Sequence, residues 1–136
     1  MTNDRKIDLI HPVLSYGIVG CAFKVHNVLG GGQLEKYYQR ALAESFKAAE
    51  LLFKEQAYFP LSFQNKIIGK NFLDFLVEEK VAVEIKAGTR YSRNHVLQVL
   101  NYLKISNLEL AILINFGKEE VSFKRLVNIR KNSPLA

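Results

Sequence analysis

Asp74, Glu84 and Lys86 are the residues whose types and spacing could do chemistry: an acid, nine intervening residues, then an acid and a lysine two apart. The stretch from Leu73 to Lys86 is expected to form two antiparallel strands, with Glu78, Glu79 and Lys80 as a three-residue loop. That loop puts Val77 opposite Val81, Phe75 opposite Val83 and Asp74 opposite Glu84. Strand side chains alternate between faces, so one register buries the apolar residues and collects Asp74, Glu84 and Lys86 on the other side. Two carboxylates facing each other repel unless a proton or a cation lies between them. Hard oxygen ligands of this kind suit magnesium or manganese, with water and substrate phosphate completing the shell. A solvated charged hairpin is the competing reading. Against it, Asp74 stands among Ile67, Ile68, Phe72, Leu73, Phe75, Leu76 and Val77, where an unpaired acid is costly.

The elements that must position these residues follow from periodicity. Ile10, Leu14, Ile18, Cys21, Val25 and Leu29 recur at helical spacing and predict a helix over Leu9–Leu29, with Pro12 tolerated in its first turn. Gly30-Gly31-Gly32 follows no strand and lacks a Lys-Ser/Thr pair, so it reads as a chain reversal and not as a phosphate loop. A second helix over Gln33–Ala49 carries Glu35 in its first turn and Tyr38 one turn further on. Glutamate there is also what the helix dipole favours. A strand-like segment over Leu51–Phe63, interrupted by Pro60, leads through Asn65-Lys66 to the hairpin. A helix from about Ser92 carries His95, Gln98 and Tyr102 as a polar stripe. Leu108–Phe116 and Val121–Ile129 read as the last two strands. The order α, α, β, β, β, α, β, β predicts an α/β fold, a mixed sheet flanked by helices, in one domain spanning residues 1–136.

Composition bounds the partners. The chain of 136 residues has a formal net charge of +6, which favours acidic partners, nucleic acid foremost. Lys124, Arg125, Arg130 and Lys131 concentrate that charge near the end, as a solvated strand end or a phosphate-contacting patch. The lone Cys21 fits a core thiol in a reducing cytoplasm, and no apolar run is long enough to span a bilayer. His26 reads as a hydrogen-bonded structural imidazole, since no second histidine or cysteine stands at ligand spacing.

Asp74 with Glu84-Ile85-Lys86 resembles the D…(D/E)xK core of the PD-(D/E)xK nuclease superfamily, and Gln98-Val99-Leu100-Asn101-Tyr102 resembles the Q-h-x-x-Y helix of its RecB-like branch. Gly32-Gln33-Leu34-Glu35-Lys36-Tyr37-Tyr38 is similar to the G-x-x-E-x-x-Y signature of the GxxExxY family, small prokaryotic proteins placed in that superfamily. The chain departs from the pattern at Leu73, where the superfamily name has proline, and at Lys24 and Phe72. The resemblance implies a restriction-endonuclease-like fold and a metal-dependent nuclease using Mg2+ or Mn2+, with DNA as the expected substrate in repair, recombination or defence. It implies that Asp74, Glu84, the carbonyl of Ile85 and Glu35 hold the metal. Lys86 would activate the attacking water, and Tyr38, Gln98 and Tyr102 would position substrate. A homodimer or a larger partner protein would supply further specificity. The alternative is a catalytically silent module that binds nucleic acid or a partner protein.

Overall fold

The computed structural model describes residues 10–88 and 91–128, so Leu9, Ile129, Arg130 and Lys131 lie outside the described residues. Among the described residues three helices, α1 (Pro12–Leu29), α2 (Glu35–Ala48) and α3 (Arg93–Ser106), flank five strands: β1 (Phe53–Phe63), β2 (Lys66–Val77), β3 (Val81–Ala87), β4 (Leu110–Phe116) and β5 (Val121–Val127). The sheet runs β1-β2-β3-β4-β5, with β3 and β4 parallel and the other neighbours antiparallel. The expected element order and mixed sheet are therefore present. The parallel pair needs a crossover, and α3 supplies it.

Two apolar clusters cover the two faces of the sheet. On one face Phe75, Val77, Val81, Val83, Ile85, Ile112 and Ile114 meet Ile18, Val25, Leu42 and Phe46 of α1 and α2. On the other, Leu76, Ala82, Ala111, Leu113 and Leu126 meet Val99, Tyr102 and Leu103 of α3. Strands β3 and β4, covered on both sides, are for that reason nearly continuous apolar runs. Pro60 does not interrupt β1, because β1 is an edge strand and has a side where a missing amide removes no ladder bond.

The α1–α2 connection is a chain reversal, as expected. Gly30 and Gly32 adopt φ of 70° and 89°. A Cβ on Gly31 would stand 1.9 Å from the carbonyl oxygen of Lys118, so the loop presses backbone to backbone against the β4–β5 turn. His26 closes the same junction, its Nε2 lying 2.8 Å from the Gly117 oxygen, the structural role expected for it. Cys21 is a buried core thiol, also as expected.

Tyr38 belongs to this junction as well, which corrects its expected place in a substrate groove. Its ring is fully buried and stacked on Phe116 at 4.4 Å, and its hydroxyl donates to the Gly30 oxygen at 2.6 Å and accepts from the Gln33 amide at 3.3 Å. The helical face that packs on the core includes Tyr38, Leu42 and Phe46, and a phenol there must find its partner in the loop it covers. Tyr38→Phe is expected to cost about 1–3 kcal/mol of stability, because it strands a loop carbonyl, and to leave kcat/KM unchanged. Denaturant unfolding beside cleavage rates checks this; a rate loss at unchanged stability would return Tyr38 to the site.

Candidate metal and phosphodiester site

The hairpin has the register its alternation predicts, with Phe75 paired to Val83, Leu76 to Ala82 and Val77 to Val81. The β2–β3 ladder stops at Phe75, and side chains take over from backbone. The Asp74 amide donates to Glu84 Oε2 at 2.7 Å, and the Ile85 amide donates to Asp74 Oδ2 at 2.8 Å. Asp74 and Glu84 thus do stand opposite each other, but each carboxylate is turned onto the other strand's backbone.

The cause lies one strand over. Gln56 of β1, opposite Asp74, has a left-handed φ of 48°, and the side-chain alternation changes sign there on both strands. Phe53 and Phe75 pack toward α1 and α2, whereas Ala57 and Leu73 pack toward α3. Strict alternation would have put Leu73 on the Phe75 side. Beyond the break β2 leaves β3, and the β3 edge from Ile85 onward is free for other partners. The Ala87 amide, two residues further along that edge, is turned toward the carboxylate of Glu35 at the start of α2 and favours its charged form. Amide and carbonyl of one strand residue project from the same edge, so the Ile85 carbonyl faces this notch too.

The electrostatics reflect three acids crowded at one edge. Burial pushes Glu84 up to about 8, with the charge of Asp74 as the next cause and Glu35 adding to it; the Asp74 amide and Lys86 oppose. Asp74 is raised by burial, against the Ile85 amide, Gln56, His95 and Lys86. Glu35 is raised by partial burial and then by Asp74, against Lys86 and the Ala87 amide. Lys86 therefore stands within the field of all three carboxylates. Burial and then Lys86 lower His95, which is an uncharged imidazole near neutral pH.

Of the three residues expected to position substrate, one lies here. Tyr102 of α3 is buried, its phenol raised by burial and then by Glu84 and Asp74. Gln98 is exposed on the same helix, and Tyr38 is turned into the core. The sequence marks His95 only as part of a polar stripe, yet its Nε2 is 4.0 Å from Glu84 Oε1, buried and without a hydrogen-bond partner among the described residues. Tyr91, absent from the expected set, stacks on His95 at 5.1 Å, and its hydroxyl touches the carbonyl oxygens of Glu84 and Ile114. A histidine four residues ahead of the buried Val99 was the available signal; nothing local marked Tyr91.

Among the described residues no group of three or more His, Cys, Asp or Glu closes into a ready cage for an ion. The donor set nevertheless fits a hard cation held from one side. Among the described residues Asp74 Oδ1 has one long contact, to Gln56 at 3.4 Å, and Glu84 Oε1 has no hydrogen bond, so each acid keeps an oxygen to offer. Two such oxygens and a carbonyl are what magnesium-like ions accept from protein when water and phosphate fill the rest.

No curated protein matches the chain significantly. The solved structure of SSO0001 is similar in fold, with a TM-score of 0.53 at 16% identity; the match covers 68% of this chain and 49% of that one, so the chain spans about half its length. A family model described as the PD-(D/E)XK nuclease superfamily, whose members typically use divalent metals, matches residues 12–126. A match over most of the length, on a mixed five-stranded sheet that presents an acid, an acid and a lysine at one strand edge, means that the chain belongs to the PD-(D/E)XK nuclease superfamily.

Proposed function

We propose that the protein is a nuclease that hydrolyses phosphodiester bonds with Mg2+ or Mn2+, acting on DNA in the cytoplasm, and that it belongs to the GxxExxY family of the RecB-like branch. The observation that carries this reading is the vacated β3 edge, where Asp74 takes the Ile85 amide, Glu84 takes the Asp74 amide, Glu35 stands near enough to feel both the Asp74 charge and the Ala87 amide, and Lys86 stands in their common field. A divalent ion there would supply polarisation of a phosphoryl oxygen and a more acidic water. Asp74, Glu84 and the Ile85 carbonyl would hold it, with Glu35 as a further acid. The Lys86 ammonium neutralises charge growing on the phosphoryl oxygens in the transition state. His95 Nε2, an unpartnered nitrogen beside Glu84, can take a hydrogen bond from water or substrate at the reacting phosphate. Tyr102 lines the approach along α3, and Gln98, exposed about one turn away on the same helix, would contact the substrate strand.

The test is cleavage of a panel of DNA and RNA oligonucleotides, single- and double-stranded, in each metal. Lys86→Ala is expected to lower kcat by at least about a hundredfold with metal affinity nearly unchanged, since its interaction strengthens only as charge develops. Glu35→Gln is expected to lose at least tenfold in rate with a melting temperature close to that of wild type. Wild-type rates in Glu35→Gln would reduce the site to Asp74, Glu84 and Lys86. Calorimetry with the metal alone separates the enzyme from a silent nucleic-acid-binding scaffold, which need not bind an ion at these acids.

A further inference from the structure

The sheet face that carries Glu84 and Lys86 does not end at β3. Residues in register on neighbouring strands point to the same face, and the ladders align Lys86 with Asn115 of β4 and Asn115 with Ser122 of β5. Lys124, aligned with Leu113, is on that face as well. Helix α3 covers the lower part of this face through Ala111, Leu113 and Leu126, and leaves the upper part open. A cavity of about 400 Å³ occupies the open part, with Tyr91, Asn115, Ser122 and Lys124 in its wall, and it adjoins a second of about 550 Å³ that shares Asn115 and Ser122.

Asn115 is the unexplained group. The residue is only 8% exposed, and its Oδ1 is sealed from solvent with no hydrogen-bond partner among the described residues, on a strand whose other side chains are all apolar. A buried amide oxygen left unpaired is costly to keep, so its place beside the cavity calls for a function. Ser122 and Lys124 are exposed, and Lys124 has no ion pair among the described residues. Arg125 does not belong with them: it turns to the opposite face and holds the Ile10 carbonyl. The described part of the expected basic end, Lys124 and Arg125, is thus divided between the two faces.

We infer that Asn115, Ser122 and Lys124 form a subsite for the sugar-phosphate backbone of the nucleic-acid strand flanking the scissile phosphate. This rests on the nucleic-acid reading above and adds where the strand runs. From β3 to β5 is two strand spacings, about 10 Å, comparable to three base steps along one strand of a duplex. The Asn115 amide nitrogen, the end that is not sealed, and the exposed Ser122 hydroxyl donate to phosphate or sugar oxygens, and Lys124 provides the charge. Glu120 lies at the exposed rim, where its carboxylate keeps phosphate from the turn and directs the strand toward Ser122 and Lys124.

The experiment is fluorescence anisotropy with labelled oligonucleotides, in EDTA and in a Glu84→Gln background so that nothing is cut, over a range of salt. Lys124→Ala should weaken binding severalfold at 0.1 M salt and flatten the plot of log affinity against log salt by about 0.9, the loss of one phosphate contact. Ser122→Ala should weaken binding about threefold at unchanged slope. The Asn115 side-chain amide resonances should shift on titration with oligonucleotide, a readout that needs no variant of a buried residue. Parental affinity and slope in both variants, or an unmoved Asn115 amide, overturns the subsite whatever the cleavage assays show. Failure of the parent to bind any oligonucleotide overturns it too, together with the nucleic-acid reading. The variant effects in a protein that cuts nothing in either metal would uphold the subsite and refute the nuclease.

Discussion

Glu84→Gln is expected to reduce cleavage below about a thousandth of wild type while the metal-free protein melts at the same temperature or higher. Burial and the Asp74 charge push the Glu84 carboxyl up to about 8, so near neutral pH the metal-free fold holds it largely protonated. A neutral amide imitates that state, and its oxygen can still accept the Asp74 amide that Glu84 Oε2 accepts now. What it cannot supply is the anion that a divalent ion requires. Asp74→Asn removes the other anion and should cost as much activity, but it puts one amide group where Asp74 now receives both the Ile85 amide and the Gln56 side chain. Its stability should therefore fall by about 1 kcal/mol at neutral pH. The measurement is single-turnover cleavage in magnesium and in manganese beside thermal melts. Either variant retaining more than a tenth of wild-type activity would remove the acid pair from the site.

Melting temperature should depend on pH in a direction set by the same group. Glu84 titrates near its ordinary 4.5 when unfolded and near 8 when folded, so between these values the folded chain keeps a proton that the unfolded chain has released. Its contribution to stability is full below about pH 4.5 and is lost as pH rises through about 8. Asp74 and Glu35, also raised, act in the same sense. His95, lowered, costs stability only as pH falls below its ordinary 6.5 and so leaves the alkaline side unaffected. In EDTA the melting temperature should decline from pH 6.5 to 8.5, and millimolar magnesium should raise it more at pH 8.5 than at 6.5, because there the ion has no proton to displace. Glu84→Gln should flatten both trends. A wild-type protein whose stability rises across this interval, or a variant that keeps the parental slope, would show that Glu84 is not the buried acid the fold makes it.

The sequence by itself determined the hairpin, its register and the pairing of Asp74 with Glu84. Strand alternation has a period of two, and a slip of one residue would turn Phe75 and Val77 away from the face of Val81 and Val83 and bring Asp74 onto it, so a single register survives. It likewise determined the order of helices and strands, through the spacing of apolar residues. Only the tertiary structure decided what the polar residues at the edges of those patterns do. Glu35 and Tyr38 are one turn apart on α2, yet one reaches the Ala87 amide and the other closes the glycine loop, because the packing of α2 on Phe116 and β3 sets which side of the helix meets the notch. Lys124 and Arg125, adjacent in a basic run, go to opposite faces of β5. Gln56 reverses the alternation through one left-handed residue, which no propensity marks, and it is this reversal that frees the edge of β3 for carboxylates. His95 and Tyr91 come to Glu84 only when the α3 crossover folds back on the sheet, since contacts between distant elements depend on how whole faces pack and leave no trace in local spacing.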